Sequence, residues 1–223
     1  MTKATWLEAL PELMQSLGQT AWMVGWSFLI TVVFGTIAGV ALRNWAPDGL
    51  TPSRFWYNGF GAIVNLARSL PFLILMIALI GFTRWLVGTA YGPTAAVVPL
   101  SVGAIPFFAR VAEAAIREVS PGKVEAAQVM GATVRQIVWK VLLPESLPGL
   151  IAGATLTLVT LIGYSTMAGA IGGGGVGDFA IRYGYQRFNS EVLIMAVIVL
   201  IIIVQLVQSL GDGIVARMAH RRG

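Results

Sequence analysis

Residues 192–211 read VLIMAVIVLIIIVQLVQSLG, a run without a single acidic or basic side chain between Glu191 and Asp212. A helix needs about 20 mostly apolar residues to cross the hydrocarbon core of a bilayer, and this run supplies them. Working outward, residues 13–42, 85–109 and 146–177 are equally uncharged, and Arg68 alone separates the runs 55–67 and 69–83. The pattern predicts five spans, at about 18–42, 59–82, 90–112, 149–170 and 192–214. Composition agrees: the 223 residues are 57% hydrophobic and 11% charged, against about 25% charged in an ordinary soluble domain. The expectation is an all-α membrane protein, with one five-span domain over 18–214 between a short segment 1–17 and a basic tail 215–223. The run 13–42 is too long for the apolar region of a secretory signal. Without cysteine there is neither a disulfide nor a thiolate ligand.

Charge sets the orientation. If the stretch between the third and fourth spans is cytoplasmic, that side holds Arg43, Arg54, Arg110, Arg117, Lys123, Arg135, Lys140, Arg217, Arg221 and Arg222. The opposite side holds only Lys3, Arg84, Arg182 and Arg187. Positive residues favour the cytoplasm, so the N-terminus, with 1–17, is expected outside and the C-terminus inside. The net charge of +5 is spread thinly between apolar runs, which suits contact with membrane lipid and gives no nucleic-acid surface. Trp6, Trp22, Trp45, Trp56, Trp85 and Trp139 fall near span ends, as interfacial aromatics do. Five spans show no inverted repeat and make a poor aqueous path alone, which points to a second copy of the chain.

The longest loop, residues 120–148, reads SPGKVEAAQVMGATVRQIVWKVLLPESLP. Ser120 followed by Pro121 predicts a capped helix start, and Gly131 supplies a left-handed stop. Thr133 and Gln136 fit a capping box for a second helix with Val134, Ile137, Val138 and Val141 on one face. Pro144 and Pro148 are expected to end it before the fourth span. From spacing alone, this segment is either an amphipathic helix in the lipid headgroups or a docking helix. Ala126 and Ala127 beside Glu125 make a poor lipid anchor and suit close fitting against another protein.

Glu125-Ala126-Ala127, then three residues and Gly131, later Ile137 and Leu143-Pro144, resemble the EAA signature of bacterial ABC importer permeases, although Ile137 lies four residues earlier than the common spacing. Arg68-Ser69-Leu70-Pro71-Phe72, Val98 through Ala104, Leu142 through Leu150, Gly163-Tyr164-Ser165 and Tyr183-Gly184-Tyr185 are similar to the methionine importer permeases. The resemblance runs from about residue 20 to the end. It implies a type I importer fold in the bacterial inner membrane, with the 120–148 segment as cytoplasmic coupling helix. It also implies two ATP-binding partner subunits, an external substrate-binding protein, and Glu125, Ala126, Ala127 and Gly131 as the core of the ATPase contact.

The chain lacks the P-loop that holds ATP. Its one Gly-Lys pair, Gly122-Lys123, is followed by Val124, with Arg117 where the first glycine belongs. ATP and magnesium are therefore expected on a partner, with no cofactor on this chain. The single histidine, His220, excludes a histidine triad, and Asp48, Asp178 and Asp212 do not face one another within spans. A passive channel stays open as a reading of the residues, since filters can be built from backbone. Small residues crowd the fourth span around Gly163, Ser165 and Gly169, for close helix contact or for a narrow wall with Met167 or Tyr164 as a movable plug. Arg68 is the one charge deep within a span, and it either bonds carbonyls freed by Pro71 or meets a solute carboxylate. Arg110 and Glu113 read as a helix-surface pair. No residue pattern encodes methionine over another small amino acid or zwitterion.

Orientation has a direct test in a cysteine-free chain. Thr5→Cys is expected to react with an impermeant thiol reagent in intact spheroplasts and Arg222→Cys to stay unreacted; the reverse pattern would invert the topology.

Overall fold

The computed structural model describes residues 8–220, with side chains to residue 218. Lys3, Thr5, Trp6, Arg221 and Arg222, and the side chain of His220, lie outside the described residues. Among those described the fold is all helix: α1 (Leu10–Trp45), α2 (Arg54–Ser69), α3 (Phe72–Ala78), α4 (Ile80–Val87), α5 (Pro93–Arg117), α6 (Pro121–Val129), α7 (Val134–Ile137), α8 (Leu143–Ala170), α9 (Gly175–Phe179) and α10 (Ser190–His220). Four helices are long and apolar enough to cross a membrane, or five if a bent pair counts as one span. The all-α, multi-span expectation therefore holds.

Three boundaries differ from the sequence expectation. Helix α1 begins at Leu10 and runs 36 residues, or about 54 Å at 1.5 Å per residue. Residues 10–17 of the expected separate segment 1–17 are thus its first turns; Pro11 is tolerated there because a first-turn N–H has no helical partner. The second span, expected over 59–82, starts earlier at Arg54 and is broken where Pro71 was expected to break it, α2 and α3 forming a bent pair on either side of Leu70 and Pro71. Proline disfavours helix in the residue before it. Ser69 closes the end of α2 by donating its hydroxyl to the Leu66 carbonyl at 2.7 Å.

The third difference lies in the long loop. Pro144 and Pro148 do not end the helix, which continues as one rod over Val134–Ala170. A π-helical turn at Val138–Leu142 directly precedes Pro144. Such a wider turn gives room for a ring that would otherwise strike the carbonyl four residues earlier. The capping box forms as expected, with the Thr133 hydroxyl accepting from the Gln136 N–H and the Gln136 side chain from the Thr133 N–H. Ser120 makes no side-chain cap, so the start of α6 rests on Pro121.

The chain divides into two compact units. The first comprises Met1–Leu29, Leu70–Ala104 and Leu158–Ser209. Its core gathers Met23, Phe72, Met76, Leu100 and Leu161, and a neighbouring cluster holds Leu13, Val176, Phe179 and Val192. Gln19 and Thr20 of α1 accept hydrogen bonds from the Gly175 and Val176 N–H groups at 2.8 and 2.9 Å. The second unit comprises Ile30–Ser69, Ile105–Thr157 and Leu210–Gly223. There α1 meets α5 through Gly35 and Gly39: a Cβ on Gly39 would lie 2.6 Å from the Ala112 Cβ and 2.7 Å from the Ala109 carbonyl oxygen.

That approach leaves no space for a side chain. Gly39→Val is expected to destabilise the detergent-solubilised chain by about 1–3 kcal/mol, the usual cost of overpacking, read as a lower melting temperature. Gly18→Ala, with nothing within 4 Å of its added carbon, is expected to leave it unchanged or slightly higher.

Candidate functional site

In the second unit, α6 lies on its own chain through one residue. Ala127 is 5% exposed and packs with Ile116, Ile137, Val138 and Leu142. Its methyl group therefore faces inward: a short helix with a single buried position turns that position toward its own core. Glu125, Ala126 and Gly131 are exposed. Gly131 has φ +77° and open space around it, so a side chain there would oppose the backbone conformation and not a neighbour. Lys123 pairs with Glu145 at 2.7 Å, tying α6 to the first turn of α8.

The groups that α6 offers outward are Val129 and Met130, 89% and 80% exposed. Sequence reading passed over them, although two large apolar residues ending an otherwise polar helix were a signal. A cavity of about 380 Å³ is lined by Arg43, Asp48, Arg117, Val124, Glu125 and Gln128, among others. Arg43 and Asp48 pair across it at 3.2 Å.

Glu113 is a second feature that the sequence concealed. Instead of a surface pair, it is a buried centre, 3% exposed. It accepts from Arg110 and Arg117, each at 2.7 Å, and from the Tyr57 hydroxyl at 3.1 Å. Arg110 also donates to the Asn65 side chain at 3.2 Å and the Gly61 carbonyl at 3.1 Å. Helical spacing showed the Arg110–Glu113 pair, but only packing brings Tyr57 and Gly61 of α2 against it.

The pathway candidates take different positions. Tyr164 stacks on Phe72 with ring centroids 4.1 Å apart, so it is braced. Ser165 is 1% exposed and donates to its own helix at Ile162, so it points inward. Met167 is 47% exposed. Arg68 is exposed in the last turn of α2, its guanidinium 6.0 Å from the Phe107 ring centre. Among the described residues it meets that ring, and no hydrogen bond ties it to carbonyls near Pro71. No cluster of three or more metal-ligating side chains occurs among the described residues.

Fold and site define a multi-span helical membrane protein with an exposed helical segment between two of its spans. The family of binding-protein-dependent transport system inner membrane components matches over residues 31–222, and the chain belongs to that family. It is thus a multi-pass inner-membrane component of a bacterial transporter, as the recognised signatures implied. The chain is 50% identical over 203 residues to the probable D-methionine transport system permease protein MetI of Vibrio cholerae, covering 91% of this chain and 90% of that one. It is 52% identical over 151 residues to the methionine import system permease protein MetP of Bacillus subtilis, covering 68% of each. Among solved structures, inward-facing conformations of the MetNI methionine ABC transporter match with TM-score 0.92 and 45% identity, over 94% of this chain and 97% of that chain. An amino acid ABC transporter solved with histidines shares the fold at TM-score 0.77 and 19% identity, over 97% of this chain and 100% of that chain.

Removing the carboxylate at the buried centre isolates its contribution. Glu113→Leu leaves Arg110 and Arg117 facing each other without a counter-charge. A loss of about 3 kcal/mol is expected, the low end for a broken buried pair because Arg117 is half exposed. A chemical-denaturation midpoint equal to that of the unsubstituted chain would show that the centre does not hold α2 to α5.

Proposed function

We propose that this chain is the membrane permease of an ATP-driven importer for methionine. Two copies form the path, two separate ATP-binding subunits hold ATP and magnesium, and an external substrate-binding protein delivers the solute. The observation that carries this reading is the likeness to the MetNI transporter, 45% identical along 94% of the chain. The absent P-loop supports the placing of ATP on a partner, and the distribution of positive residues supports an outside N-terminus and a cytoplasmic C-terminus.

In this reading α6 is the coupling helix. Val129 and Met130 enter the ATPase surface, Glu125 and Ala126 flank them, and Gly131 turns the chain away. Ala127 acts from the other side by fixing α6 to its own permease. Movement of the ATPase then reaches the fourth span by two rigid links, the Lys123–Glu145 ion pair and the rod Val134–Ala170. Met167, exposed on that rod, serves as the flexible plug; an unbranched thioether closes an irregular gap without a rigid fit. Tyr164 and Ser165 support it, the first through Phe72 and the second within the helix.

Reconstitution tests the reading. The complex with its ATPase and binding protein is expected to accumulate methionine in liposomes only with ATP and magnesium. Met130→Asp is expected to keep the permease inserted while reducing ATPase co-purification and uptake at least tenfold. Flux without any ATPase would favour a channel, and uptake of another amino acid with none of methionine would replace the substrate while keeping the class.

A further inference from the structure

The contact between α2 and α5 carries more polar groups than packing requires. On α2, Tyr57, Gly61, Asn65 and Arg68 follow one another at helical spacing; on α5, Phe107, Arg110, Glu113 and Arg117 do the same. Hydrogen bonds join the two rows at Tyr57–Glu113, Gly61–Arg110 and Asn65–Arg110, and the Arg68 guanidinium continues the row over Phe107 at 6.0 Å.

Arg68 lies fourteen residues beyond Arg54, or about 21 Å along α2 at 1.5 Å per residue. The start of α2 is marked as interfacial by Arg54 and by Trp56, stacked on Trp45 at 5.9 Å. Against a hydrocarbon thickness of about 30 Å, Arg68 is therefore deep in the membrane. It is exposed there, and no carboxylate among the described residues pairs with it. A charge at that depth faces protein or water and not lipid.

The two lower arginines are in a different state. Glu113 lies between Arg110 and Arg117 and holds both. Arg68 is thus the uncompensated cation of the row, placed where the second span breaks.

We propose that the α2–α5 row lines the translocation path from its cytoplasmic mouth to beyond the bilayer centre, and that Arg68, at the deep end of the row, receives the carboxylate of the amino acid in transit. The proposal rests on the importer reading above. Below Arg68, the exposed amide of Asn65 offers a neutral step. Arg110 beyond it is already held by Glu113, so a carboxylate released from Arg68 meets no second deep trap.

The test uses the assembled transporter in liposomes with cysteine-free partner subunits. Single cysteines are introduced by Arg68→Cys, Asn65→Cys and, on the apolar side of α2, Leu66→Cys. The probe is the anionic, water-soluble methanethiosulfonate ethylsulfonate. Positions 68 and 65 are expected to label at least tenfold faster than 66, and labelling at 65 to block ATP-driven methionine uptake. Arg68→Gln is expected to lower uptake at least tenfold with basal ATP hydrolysis kept, and Arg68→Lys to retain several times more uptake than Arg68→Gln. Equal labelling at all three positions, or wild-type uptake by Arg68→Gln, would overturn the proposal. Failure of the unsubstituted complex to accumulate methionine would count against the importer reading instead. Should Arg68 variants not assemble, the comparison of 65 with 66 still decides whether the row faces water.

Discussion

In hydrocarbon a peptide N–H or C=O finds no water, so each must find its partner within the protein. Long uninterrupted helices are one solution, and α1, α5, α8 and α10 adopt it. The informative places are those where the ladder stops. At the break after α2, a serine hydroxyl takes a terminal carbonyl. Around the glycine-rich turn after α8, the Gly92 N–H bonds the Gly172 carbonyl at 2.8 Å, and Gln19 and Thr20 receive the next free N–H groups. Breaks in the spans are therefore fixed positions with their own partners, able to carry a functional side chain at a defined place.

Helix association obeys a related constraint. Lipid tails are as apolar as leucine, so burying apolar surface gives little drive, and close contact between helix backbones matters more. Gly35 and Gly39 of α1 give that closeness against Phe108 and Ala112 of α5. On its other side α5 meets α2 through the Glu113 centre, where one carboxylate satisfies two guanidinium groups and a phenol. A buried carboxylate with one partner would be costly, and three donors remove most of that cost. The helix that leads into α6 is held by contact on one face and by charge on another.

The segment around α6 shows why burial and exposure must be read together. Its small residues do not all face the same way: Ala127 fastens the helix to its own chain, while Val129 and Met130 stand free. In the proposed docking role such an element must be stiff relative to its own protein and sticky toward another, and the two tasks would fall to different residues. The same separation appears along the α2–α5 row, where Glu113 fixes two arginines and leaves a third with its charge free.

The sequence by itself determined the spans, their number within one break, the glycine stop at Gly131, the capping box at Thr133 and the family signatures. Each is local: uncharged runs, backbone conformations and short hydrogen bonds depend on residues a few positions apart. Pro71 even marked the break in the second span, although not that the helix would separate into pieces. Only the tertiary structure decided which face of α6 is buried, that Glu113 is a centre and not a surface pair, that Tyr164 is braced by Phe72, and that Arg68 is left to a ring. Two of those outcomes turn on residues 49 and 92 positions apart in the chain, Gly61 with Arg110 and Phe72 with Tyr164. Periodicity gives the face on which a residue lies but not which helix comes to meet it, because that choice belongs to packing across the whole chain.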